Sequence, residues 1–133
     1  MAEKVNTTRQ TFRKNERLCS IKSISSLFES GNIFHTSLFK VVWLYSPSEL
    51  PSPAQVVFSI SKRSFRHAVS RNLARRRIRE AYRKSKNKLY EHLESVNKQL
   101  ILAIILKGDI IPDYASAEKG ISAVISKLID FVQ

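Results

Sequence analysis

Apolar residues recur at two different spacings along this chain of 133 residues. Between positions 20 and 31, Ile21, Ile24, Leu27 and Phe28 fall three and four apart and Gly31 follows, which predicts a short amphipathic helix ended by a glycine. SLFKVVWLYS, 37–46, is rich in β-branched and aromatic residues and predicts a strand. AQVVFSIS, 54–61, alternates, with Val56, Phe58 and Ile60 on one face, and predicts a second strand. Three prolines in PSELPSP, 47–53, make the segment between them a loop. A helix is expected over 70–90. LILAIIL, 100–106, has the length and branching of a buried strand and is too short to span a bilayer. GDIIPD, 108–113, breaks it. Ile121, Val124, Ile125, Leu128 and Ile129 then space out a closing helix over 115–132, with Gly120 as a weak point in it. With a further short strand near 33–36, the order is α-β-β-(β)-α-β-α. That order describes an α+β two-layer sandwich, one domain over 1–133, led by a polar, flexible arm over 1–14.

The helix over 70–90 is unusual in its charge. On a wheel of 100° per residue with Arg71 at zero, Ala81, Ala74, Ser85, Ile78, Leu89 and Tyr82 occupy an arc from about 280° to 20°, fit to dock on a sheet. Arg75, Lys86, Arg79, Asn72, Arg83 and Arg76 occupy the next arc, from about 40° to 140°. The whole chain carries a net charge of +12 and a pI near 10.2. Segment 62–88 holds twelve basic residues and one acid, Glu80, whereas the rest is nearly neutral with eleven basic and ten acidic residues. Like charges at Arg71, Arg75, Arg79 and Arg83 repel by about a few tenths of a kcal/mol per pair. Almost no acid is present to relieve them, so the face calls for a polyanionic ligand. Arginine, whose fork grips two phosphate oxygens, dominates over 71–79.

Other chemistries find little support. Cys19 is alone, which excludes a disulfide within the chain, fits a reducing cytoplasm and suggests a buried small residue. His35, His67 and His92 have no metal-ligand spacing, and no carboxylate pair stands out as an acid–base set, so no catalytic or metal-binding side chain is expected. Asp109 and Asp113 flank Pro112 as turn and cap residues. The N-terminus lacks a signal peptide's apolar core, and the basic helix has no free apolar face for a membrane. No heptads follow the basic region and no helix precedes it, which disfavours a basic zipper and a helix-turn-helix on DNA. A basic helix on a sheet suits folded RNA. A ribosomal or general RNA-binding protein shares this charge and size.

SISKRSFRHAVSRNLARRRIREAYR, 59–83, resembles the signature of the protein subunit of bacterial ribonuclease P. Lys62 and Arg63 match its first basic pair, Ala68 and Val69 its connection, and Arg71, Asn72, Arg75, Arg76 and Arg79 its helix. TFRKNERL, 11–18, and LFESG, 27–31, resemble the family's opening. The resemblance implies a fold like domain 2 of ribosomal protein S5, with a left-handed β-α-β crossover. It implies a protein that clamps ribonuclease P RNA, whose Mg²⁺ performs the phosphodiester chemistry, with no cofactor held tightly by the protein and no obligate protein partner. RNA contacts would come from Lys62, Arg63, Arg66, His67, Arg71, Asn72, Arg75, Arg76, Arg79, Arg83 and Lys86. The single-stranded 5′ leader of precursor tRNA would lie in a cleft of Ile24, Phe28, Lys40 and Val42. The chain departs from the pattern at Leu73, where relatives have arginine, and at Ile24 and Val42, where they often have aromatics. The connection SFRHAV also lacks a glycine common in relatives.

Overall fold

The computed structural model describes residues 12–133. A 3-10 turn, Lys14–Glu16, precedes helix α1, Ile21–Ser30, strands β1, Asn32–His35, β2, Phe39–Tyr45, and β3, Ala54–Ser59, the long helix α2, Ala68–Val96, strand β4, Leu100–Leu106, and helix α3, Tyr114–Phe131. The expected order is present, including the short strand, which lies at 32–35. α2 continues past the expected end at 90 because Leu89 and Leu93 extend its buried stripe; it stops at Asn97, a residue that tolerates the left-handed conformation.

The four strands lie in the order β1-β2-β4-β3. β2 pairs antiparallel with β1 and β4, and β3 pairs parallel with β4 through the α2 crossover. One sheet face carries Phe34, Phe39, Val41, Trp43, Val56, Phe58, Leu102 and Ile104 and packs against α2 and α3, burying Ile78, Tyr82 and Leu89 of one helix and Ile121, Val124 and Leu128 of the other. Alternation sends Val42, Ile101 and Ala103 to the opposite face, where they share a small core with Leu27 of α1 and Leu18.

Two glycines are set by close approach. At Gly31 the backbone is ordinary (φ −70°), so the residue is not needed for a left-handed cap. A Cβ there would lie 2.3 Å from the Leu27 carbonyl oxygen and 2.6 Å from Val42 Cγ1. Gly31→Ala is therefore expected to destabilise the fold by about 1–3 kcal/mol through overpacking, seen as a lower urea midpoint at unchanged slope. At Gly120, a Cβ would sit 2.9 Å from Phe39 Cε2, which explains a glycine inside α3 where it crosses β2. Asp113 caps α3 as expected, its carboxylate accepting from Ser116 N at 2.8 Å. That bond holds its carboxyl below the usual range.

The described end of the expected arm, 12–14, and the residues just after it are built into the domain. Leu18 N donates to Val56 O (3.0 Å), Arg17 bridges Val56 in parallel, and Gln55 Nε2 donates to Asn15 O (2.9 Å), so residues 15–18 line the outer edge of β3. Phe12 packs edge-on to Tyr82, with ring centroids 5.8 Å apart, and equally close to Phe58. The remainder of the arm, 1–11, lies outside the described residues. Cys19 is exposed, not buried as its residue type suggested.

Candidate nucleic-acid interface

α2 has 29 residues and is about 43 Å long at 1.5 Å per residue. The seven-residue strand β4 reaches only about 23 Å. α3 begins alongside the middle of α2, where Arg77 Nη1 donates to Pro112 O (3.0 Å) and the Lys84 ammonium sits 5.2 Å from the Tyr114 ring. The first turns of α2 therefore stand clear beyond the start of α3, and these turns carry the arginines.

The basic connection before α2 is a set turn. Ser61 Oγ accepts from Arg63 N (3.1 Å) and Ser64 N (3.4 Å), Phe65 N donates to Ser61 O (3.0 Å), and the Phe65 ring is buried. No residue in it needs a positive φ, so the missing glycine is of no structural consequence. Lys62, Arg63, Arg66 and His67 are thereby left on the surface. His67 is the N-cap residue of α2 and makes no side-chain cap bond, so the first amides of the helix face solvent at the positive end of its dipole.

The basic residues of α2 divide by what they already hold. Arg71 is half-buried, and its Nη1 donates to Phe65 O (2.8 Å) and Arg66 O (3.0 Å), locking the connection onto the helix. Arg83 pairs with Glu80, which lowers the Glu80 carboxyl and raises the Arg83 guanidinium through that hydrogen bond. Arg75, Arg76 and Arg79 have no carboxylate partner among the described residues, and with Val69, Asn72 and Leu73 they line a shallow recess of about 590 Å³.

Lys86 does not belong to this surface. It is 4% exposed and ion-paired with Glu16. Glu16 also accepts from Tyr90 OH (2.7 Å) and Arg13 N (2.7 Å). Tyr90 spends its proton on Glu16, so the 3.4 Å contact between the Tyr82 and Tyr90 hydroxyls has Tyr82 as donor. Burial raises both phenols, which stay protonated. On the wheel Lys86 lies near 60°, next to the half-exposed Arg75 at about 40°; it is buried by its place along the helix, where Glu16, Tyr90 and Phe12 meet it. The acid that meets it, Glu16, lies just past the arm expected over 1–14.

The expected leader cleft is also altered. Val42 is 2% exposed beneath α1 and offers no surface. Ile24 is half-buried against the same small core, whereas Phe28 is 53% exposed. Strand register aligns Ser59, Ile105, Lys40 and His35 in one row across the sheet, next to the row of Val57, Ala103, Val42 and Ile33. α1 covers Ala103 and Val42 in the second row. The first row keeps Ser59, Ile105 and Lys40 half-exposed and His35 exposed, and it ends where β3 runs into the basic connection. Of the expected cleft, Lys40 lies in this accessible row near the arginines and Val42 does not, and the row brings in Ser59, Ile105 and His35, which only the strand register reveals.

The ribonuclease P family model matches residues 12–127. The ribonuclease P protein component of Porphyromonas gingivalis is 28% identical over 115 residues, covering 86% of this chain and 84% of that protein. The component of Chlorobium phaeobacteroides is 40% identical over 83 residues, covering 60% and 57%. The solved RNase P protein of Staphylococcus aureus superimposes with a TM-score of 0.64 at 16% identity, over 85% of this chain and 94% of that one. That of Thermotoga maritima gives 0.64 at 15%, over 84% and 96%. The match begins at Phe12, the first described residue, and runs through the arginine-bearing helix into α3, so this chain belongs to the family of ribonuclease P protein components.

Proposed function

We propose that this protein binds ribonuclease P RNA through the first turns of α2 and the connection before it, and guides the 5′ leader of precursor tRNA along the adjoining sheet row. The observation that carries this reading is the group of Arg75, Arg76 and Arg79, on the turns of α2 that precede its contact with the start of α3, without acidic partners among the described residues. Such a group supplies phosphate contacts in an arrangement fixed before binding. Phe28 gives the leader an exposed ring to stack on, and Lys40 a charge on the half-exposed sheet row. The phosphodiester chemistry is assigned to the RNA subunit and to Mg²⁺ held mainly by its phosphates; the chain brings cations, not carboxylates, to the interface. The proposed setting is the cytoplasm, with no further protein partner required.

Cleavage of a precursor tRNA by bacterial ribonuclease P RNA at low Mg²⁺, with and without the protein, tests the proposal. Restored maturation at the correct 5′ end is expected. RNA binding without restored cleavage would favour a ribosomal or general RNA-binding role.

A further inference from the structure

Within the recess on α2, two residues cannot serve a phosphate. Val69 is 79% exposed, and Leu73, one turn later, is half-buried. Residues four apart are neighbours on a helix, so their side chains form one apolar step. A single exposed apolar residue is ordinary. This pair is distinguished by its surroundings, because Asn72, Arg75, Arg76 and Arg79 line the same recess.

Asn72 has a defined polarity. Arg75 Nη1 can only donate, and it lies 3.3 Å from Asn72 Oδ1. The amide oxygen is therefore engaged, and Asn72 presents its NH₂ as a donor. Around the apolar step stand three cations and one neutral donor. A phosphate would use the cations and leave the step against water. An apolar protein surface would use the step and leave the cations unpaired. A nucleotide whose base is unstacked uses both: the base or its ribose covers Val69 and Leu73, the flanking phosphates meet the arginines, and a base carbonyl accepts from Asn72. The recess volume of about 590 Å³ lies within the range of sites for ligands of this size.

We propose that Val69 and Leu73 seat one unpaired nucleotide of the ribonuclease P RNA, with Asn72 donating to a carbonyl of its base, so that this part of the interface reads an unpaired nucleotide where relatives with arginine at the Leu73 position have a further cation. The inference rests on the ribonuclease P reading above. Binding of full-length protein to bacterial ribonuclease P RNA, measured over a salt series, tests it. Val69→Ser is expected to lower affinity about tenfold, the equivalent of uncovering one valine side chain, with the slope of log K against log salt unchanged. Leu73→Arg is expected to steepen the slope by about one without recovering the affinity lost in Val69→Ser when the two are combined. Because Val69 is exposed, its variant should melt like the parent. Unchanged affinity in Val69→Ser, or full rescue by Leu73→Arg, would overturn the proposal and return this position to simple phosphate contact. Failure of the parent protein to bind the RNA at all would instead remove the functional reading beneath it.

Discussion

Lys86→Met is expected to destabilise the protein by about 3–5 kcal/mol, the usual cost of removing one partner from a buried ion pair. Glu16 would remain 5% exposed, with Tyr90 OH and Arg13 N as donors but without its cation. Unfolding in urea should show the loss as a lower midpoint, and thermal melting as a fall of about 10 °C or more. The variant separates two roles for the same lysine. A phosphate contact would leave stability nearly unchanged and reduce the salt slope of RNA binding by about one. A structural pair moves stability and leaves the slope of the folded fraction alone. The double variant Glu16→Gln with Lys86→Met should regain much of the loss, because a neutral pair no longer strands a charge. A double-mutant cycle with near-zero coupling would mean that Lys86 has another main partner.

Helices and strands were legible in this chain because each shows an undisturbed apolar period. Val56, Phe58 and Ile60 alternate and are all buried; Ile121, Val124, Ile125 and Leu128 recur at helical spacing and are all buried. Asp113 was legible as a cap because its carboxylate acts on its own helix. What escaped depends on partners distant in sequence. Glu16 and Lys86 are seventy residues apart, and neither neighbourhood alone indicates that they meet. Lys86 sits at the border of the apolar arc, where the wheel cannot separate a core position from a rim position. Val42 alternates correctly on β2, but the helix that covers it is held there by the close approach at Gly31, which is a matter of packing and not of period. The wheel also treated all arginines alike, whereas the fold gives Arg71 two carbonyls, Arg77 one and Arg83 a carboxylate.

That division ranks the arginines for RNA binding. Replacing Arg75, Arg76 and Arg79 together by alanine should lower affinity for ribonuclease P RNA on the order of a hundredfold at low salt and reduce the salt slope by about two to three, since each lost phosphate contact removes close to one. Stability should barely change, because removing unpaired like charges spaced three and four apart also removes repulsion. Arg83→Ala is expected to do much less, since Arg83 is already tied to Glu80 and its release for RNA would strand that carboxylate. Arg71→Ala should weaken binding by a different route: with the bonds to Phe65 O and Arg66 O gone, the connection carrying Lys62, Arg63 and Arg66 loosens. Affinity would then fall through lost preorganisation, with a smaller change in slope than for any one of Arg75, Arg76 and Arg79. Filter binding of the triple variant, Arg71→Ala and Arg83→Ala across the same salt series distinguishes the three mechanisms. Equal slopes in all variants would mean that the first turns of α2 do not meet the RNA backbone.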